Sequence, residues 1–437
     1  MGEFSKDDLL RSWKEIAAYL GCDVRTCYRW EHERGLPVHR AEDAEKKSPV
    51  FAYKHELDAW FREAFKSSNP LESERRAYLW LKWAGIGATA LILAAIILYV
   101  RGRLVPRQPA DFRVDGSVLY TLDAKKHELW RWDTGVEDLQ TDSYYRSNFQ
   151  VKHTDQSNIL PSLAMKDLDG DGNKEVLFAL KTVRDQTGEG VLFCFDRRGR
   201  ERWRFQAGRE LVCASQRFSP DFRIAGFHTR DIDKDGRREI FVESFHAPDW
   251  PCQLAMLDAS GKLVGEFWNA GYLRELSYQD LDGDGREELI VVGVNNEYRG
   301  GCLVVFDPQR ISGGSPQTGD FVCHGVGPGS MISYVTVPYT DVSAARGRPV
   351  DGLRTVEITA NNWIRATTSN GIIYEFDFSL KCVQVTFGHG FMIDHYETRK
   401  AGAVTSVLDD GYKANLIGGI RYWNGSAWAA ESSMVRR

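Results

Sequence analysis

Residues 167–175 read DLDGDGNKE, and the phrase returns as DIDKDGRRE at 231–239 and DLDGDGREE at 280–288. Acidic side chains at loop positions 1, 3 and 5 can converge on one ion, the glycine at position 6 permits the turn, and position 7 offers its carbonyl. An all-oxygen set of this kind suits calcium. The expected ligands are Asp167, Asp169, Asp171 and Glu175 with the Asn173 carbonyl, then Asp231, Asp233, Asp235 and Glu239 with that of Arg237. The third set is Asp280, Asp282, Asp284 and Glu288 with the carbonyl of Arg286. A helical EF-hand is disfavoured, because position 12 is Phe178, Val242 or Val291 instead of glutamate and an apolar run follows each loop.

Those apolar runs, VLFAL, IFVES and LIVVG, are each followed by a second strand-like stretch: GVLFCFDRRGRERWRF, CQLAMLDASGKLVGEFW and GCLVVFDPQ. The repeating unit is therefore a pair of hairpins. Asp-Gly pairs at 115, 171, 235, 284, 351 and 410 extend the cadence over residues 111–437. Short strands and turns repeating at this period predict an all-β propeller of six or seven blades, with a β-sandwich or two packed all-β domains as the alternative. The acidic phrases resemble FG-GAP or VCBS-type repeats, which implies calcium-pinned blade loops, and GVLFCFDRRGRERW is similar to the PQQ-type blade. Trp130, Trp132, Trp203 and Trp268 are expected as wedges between blades.

The chain has 437 residues and a formal charge of -5, which is too long for one ordinary core and gives no global case for nucleic-acid binding. Residues 83–100, WAGIGATALILAAIILYV, carry no charge. As a helix they would extend about 27 Å, so a single transmembrane helix is expected there. It would be flanked by a juxtamembrane linker at 69–82 and a short linker at 101–110. Basic residues on the two sides are too balanced to set the orientation.

Before this segment, residues 12–31 read SWKEIAAYLGCDVRTCYRWE. Ser12 and Glu15 form a capping-box signal, Ile16, Ala17 and Leu20 make an apolar stripe, and Gly21 stops the helix; a second helix starts near Asp23. The stretch SWKEIAAYLGCDVRTCYRWEHERGLPVHR, with VFAYKHELDAWF at 50–61, resembles MerR-type and excisionase-type winged-helix domains. That resemblance implies a small all-α, winged-helix domain over residues 1–68. It implies DNA contacts from Arg25, Thr26, Tyr28 and Arg29 on the second helix, and from His39 and Arg40 in the wing. Residues 1–76 hold 14 basic and 15 acidic side chains, so any phosphate footprint must be local. A single copy per chain favours a homodimer on paired half-sites.

The eight cysteines lack CxxC spacing and read as small buried hydrophobes, with disulfides open if the C-terminal part lies outside the cytoplasm. The histidines form no HExxH pair, no serine sits in a G-x-S-x-G setting, and GVGPGS at 325–330 lacks the lysine of a phosphate loop; no enzyme is predicted. His389, Asp394, His395 and Glu397 read as a surface cluster. In order, the parts predict a DNA-binding transcriptional regulator tethered in the bacterial inner membrane, N-terminus in the cytoplasm. A calcium-stabilised propeller would bind a ligand or partner outside, the lipid bilayer lying between. The competing class is a membrane-anchored surface binding or adhesion protein whose N-terminal module holds a cytoplasmic protein.

Overall fold

The computed structural model describes residues 8–40, 49–65, 82–83, 89–93, 107–149, 160–184, 189–248, 250–432 and 434. The chain divides into two compact units, Met1–Pro106 and Arg107–Arg437.

Unit 1 runs β1 (Leu9–Leu10), α1 (Trp13–Leu20), α2 (Val24–Arg34), β2 (His39–Arg40), β3 (Val50–Tyr53) and α3 (Lys54–Ala64). The Ser12 hydroxyl accepts from Glu15 N–H, satisfying one orphan donor at the start of α1, and the Glu15 carboxylate reaches back to accept from Arg11 N–H at 2.8 Å. Gly21, at φ 66°, ends α1 in the left-handed region, and Asp23 caps α2 by accepting from Thr26 N–H. β3 lies between β1 and β2 in an antiparallel sheet. Its Val50 and Ala52 pack on Ile16, Ala17, Cys27, Leu36 and Leu57. The expectation of an all-α domain is corrected by this three-stranded sheet: alternation in VFAY puts two side chains into the core, which a helical period would not.

The expected transmembrane helix is also corrected. Most of residues 83–100 lie outside the described residues, and among the described ones no helix is long and apolar enough to cross a membrane. The single-pass inner-membrane placement that rested on that span goes with it.

Unit 2 is a β-propeller-type stack of antiparallel sheets that follow one another in chain order. The first holds β4 (Asp111–Asp115), β5 (Val118–Leu122) and β6 (Glu128–Asp133), followed by helix α4 (Asp142–Phe149). The second is β7 (Leu163–Lys166), β8 (Glu175–Ala179), β9 (Val191–Phe195) and β10 (Glu201–Gln206), and a hairpin, β11 (Leu211–Cys213) and β12 (Gln216–Phe218), follows it. The third is β13 (Phe222–Arg230), β14 (Glu239–His246), β15 (Cys252–Leu257) and β16 (Leu263–Asn269). The fourth is β17 (Leu273–Gln279), β18 (Glu288–Asn295), β19 (Gly300–Phe306) and β20 (Ser333–Thr336). After helix α5 (Asp341–Ala345), the fifth is β21 (Leu353–Ile358), β22 (Ile364–Thr368), β23 (Ile372–Phe376) and β24 (Cys382–Phe387). Helices α6 (His389–Lys400) and α7 (Asp410–Gly418) lead to β25 (Arg421–Trp423) and β26 (Trp428–Ala429), which extend the fourth sheet beyond β20.

Each pair of consecutive sheets shares a core. In β18, Leu289 and Val291 face the third sheet, while Ile290 and Val292 face the fifth. A sheet buried on both faces needs apolar residues in succession, which is why LIVVG does not alternate. The end sheets are buried on one face: β5 and β22 alternate buried with half-buried positions. Trp130 lies against Gly199 in the turn of the next sheet, and Trp203 lies likewise against Gly261, where an added Cβ would come within 2.7 and 2.3 Å of the respective indole.

Among the described residues, five blade-like sheets and the separate β11–β12 hairpin stand where six or seven blades were expected. Asp115-Gly116 and the three acidic loops do join first and second strands, but Asp351-Gly352 precedes β21 and Asp410-Gly411 opens α7. The more faithful marker is an aspartate after each third strand, or after the second strand of the three-stranded first sheet. Asp123, Asp196, Asp258, Asp307 and Asp377 each accept the N–H two residues on.

Candidate metal loops and the exposed face of the second helix

The three acidic loops connect the first and second strands of the second, third and fourth sheets. Their position-2 residues, Leu168, Ile232 and Leu281, are apolar and pack into the inter-sheet cores. Glu175, Glu239 and Glu288, each the first residue of a second strand, accept the N–H of those same residues at 3.0, 3.2 and 2.7 Å. The position-9 glutamate therefore closes the loop backbone, a role that ligand spacing alone did not show. Burial pushes the pKa of all three glutamates up, against these N–H bonds. Neighbouring loops also touch: Arg238 N–H donates to Leu168 O at 2.8 Å, and Arg230 pairs with Glu287.

Carboxylate oxygens converge in each loop, from Asp167, Asp169 and Glu175, from Asp231, Asp233 and Asp235, and from Asp280, Asp282 and Glu288. The remaining position-5 carboxylates turn to the backbone: Asp171 accepts from Asn173 N–H at 2.7 Å and Asp284 from Arg286 N–H at 2.9 Å. The Asn173 amide holds Asp171 below the usual carboxylate range. Asp235 likewise accepts from Arg237 N–H at 2.7 Å while staying in its cluster.

The loops differ in what neutralises them. Arg202 of β10 bridges Asp169 and Glu175, at 2.8 Å to each, and so puts a guanidinium where the first loop gathers its charge. In the third loop Arg286 folds back on Asp284 at 2.7 Å. In the second, Asp231 Oδ1 is buried and accepts no hydrogen bond, an open acceptor of the kind a cation satisfies. The second loop fits a metal ion best, and the first least.

The six expected DNA contacts divide in the same way. Arg25, Tyr28, Arg29 and Arg40 are exposed, while Thr26 and His39 are partly buried. Thr26 donates its hydroxyl to Asp23 at 2.9 Å, Tyr28 packs against Trp13 with centroids 4.3 Å apart and rings tilted by 36°, His39 meets Glu56 at 2.6 Å and Arg40 meets Glu31 at 2.7 Å. Arg25 and Arg29 have no ion-pair partner among the described residues.

Other polar groups prove structural. His395 bonds Ser406 O at 3.0 Å, and Asp394 holds Arg346 and Arg348. Cys213 and Cys323 form a disulfide, while Cys22, Cys27, Cys194, Cys252, Cys302 and Cys382 are free.

No family model and no curated protein matches the sequence. Among solved structures, the chain is similar to BamB from Moraxella catarrhalis at 13% identity, over 64% of this chain and 62% of that one, with a TM-score of 0.29. It is similar to the exotype rhamnogalacturonan lyase YesX at 12% identity, over 62% and 48%, with a TM-score of 0.31. The Dos1 propeller follows at 10% identity, over 62% and 66%, with a TM-score of 0.28. The matches thus span less than two thirds of those proteins, and the propeller assignment rests on the sheet order and inter-sheet packing described above.

Proposed function

We propose that the protein is a DNA-binding regulator: α2 enters the major groove of duplex DNA with Arg25 and Arg29, in the manner of a winged helix, and two copies act on paired half-sites. The propeller-type unit scaffolds a ligand or partner, and calcium held by its acidic loops fixes the connections between the first and second strands of its blades. The observation that carries the first half is the pair of exposed arginines one turn apart near the start of α2. Like charges at that spacing, beside the positive end of the helix dipole, destabilise a lone helix and are offset by a polyanion. Arginine also suits bidentate contact with guanine or phosphate.

Duplex binding by the full chain, titrated with salt, tests this reading. Arg25→Ala with Arg29→Ala should weaken binding and make the slope of log K against log salt shallower by about 1.8 for two lost phosphate contacts. An unchanged affinity and slope would contradict it. For calcium, chelation should lower the melting temperature of the transition belonging to residues 107–437; an unchanged profile with no bound metal would count against it.

A protein-binding role for unit 1 is the second reading. Phe61 and Phe65, both about two fifths exposed with centroids 4.7 Å apart, form an aromatic patch that suits a protein partner.

A further inference from the structure

Cys22 lies in the turn between α1 and α2. Its N–H donates to Ala17 O at 3.0 Å, closing the end of α1, and the next residue, Asp23, caps α2. Counted from that cap, Cys22 stands one position before it and Cys27 at the fourth position of the helix, the two places whose side chains meet across a helix start. Their sulfurs are 3.4 Å apart. Any two apolar side chains can make that contact, and Cys27, in one core with Ile16, Ala17 and Leu57, packs as a small apolar group. Two thiols add chemistry that an apolar pair lacks.

The two thiols differ in access. Cys22 is partly exposed, whereas Cys27 is fully buried. Burial first, and then the Cys22 thiol against it, push the Cys27 pKa up, so Cys27 is the poorer first nucleophile. An accessible thiol beside a sheltered one is the arrangement in which the first meets an oxidant and the second resolves the product. The other free cysteines, Cys194, Cys252, Cys302 and Cys382, are all buried.

We propose that Cys22 and Cys27 are a redox-active dithiol that closes into a disulfide when a peroxide oxidises it. The Cys22 sulfur attacks one peroxide oxygen, the O–O bond breaks, and the leaving hydroxide takes the Cys22 proton as water, so that Cys22 becomes a sulfenic acid. The Cys27 sulfur then attacks the Cys22 sulfur, the S–O bond breaks, and a second water leaves with the Cys27 proton. The two thiols lose two electrons in all and the peroxide gains them. The sulfurs must approach from 3.4 Å to about 2 Å. Cys22 belongs to neither helix, which leaves the turn to take up that movement. Arg25 lies between the two cysteines in the chain, so the bridge bears on the face of α2 proposed to meet DNA, but the cross-link itself does not depend on that reading.

The test treats the full chain, reduced and then freed of reductant, with hydrogen peroxide, followed by alkylation, tryptic digestion and mass spectrometry. Cleavage after Arg25 puts Cys22 in residues 15–25 and Cys27 in residues 26–29. The expected product is these two peptides joined, two hydrogens lighter than their sum, with loss of both alkylated forms and recovery of both after dithiothreitol. In Cys27→Ser, Cys22 should stop at the sulfenic acid and take up dimedone. Recovery of both peptides fully alkylated overturns the proposal, as does Cys22 of the parent found as sulfinic acid or bridged to any cysteine other than Cys27 of the same chain. The peptide map of the unaltered chain decides even where the variant does not fold.

Discussion

Glu243 lies in β14 on the same face as Phe241, within the core between the third and fourth sheets, and neither of its carboxyl oxygens has a hydrogen-bond partner. Burial pushes its pKa from an ordinary 4.5 up to about 8, helped by Glu275 and opposed by Arg274. The folded chain therefore holds this proton through a range in which the unfolded chain has released it. Stability from this group is full below about pH 4.5 and is lost as pH rises through about 8. Glu243→Gln should remove that slope and raise stability at pH 9 relative to the parent by roughly 4 kcal/mol, read from urea unfolding at pH 5 and pH 9. Parallel pH profiles for parent and variant would contradict the assignment. Nothing in IFVESF marks Glu243 as buried, because a strand with one polar position reads as ordinary alternation; only the neighbouring sheet shows that both faces are covered.

The acidic loops are the elements whose spacing was most legible. Three near-copies with carboxylates at alternate positions located the connections between first and second strands. The position-9 glutamate closing the backbone was less legible, since its target is an N–H group with no signature in the sequence. Arg202 was not legible at all, because it lies on β10 and reaches the loop only through the sheet. If Arg202 neutralises the first loop, Arg202→Ala should leave the chain binding at least one more calcium ion than the parent by titration calorimetry. Equal stoichiometry would show that the guanidinium does not compete. Asp231→Asn with Asp233→Asn should remove binding at the second loop, leaving the count one lower. The tryptophan staples belong to this scale too. Trp203 donates Nε1–H to Ala259 O at 3.2 Å and lies on Gly261, so Trp203→Ala removes both a hydrogen bond and a wedge. The expected loss is about 3 kcal/mol by urea unfolding; a change under 1 kcal/mol would mean the blades close without it.

For the molecule as a whole, the change at residue 111 from helical spacing to strands and Asp-Gly turns marked the change of unit. The blade count was misread because aspartate-glycine serves more than one purpose: it turns a hairpin at 115 and opens a helix at 410. β5 in the first sheet and β22 in the fifth alternate while β18 in the fourth is buried throughout, a difference that a count based on turns ignores. The uncharged run at 83–100 shows how a composition signal for a membrane span can stand without a described helix to carry it. Within unit 1, the exposed arginines could be read from spacing, whereas the contacts that occupy His39 and Arg40 depend on Glu56 and Glu31 and needed three dimensions. The most direct test of the central claim is selection by the full chain from a random duplex pool, beside the Arg25→Ala, Arg29→Ala variant. One enriched sequence, repeated as two half-sites and lost in the variant, is the predicted result; a pool that stays random, or the same enrichment in both proteins, would contradict it.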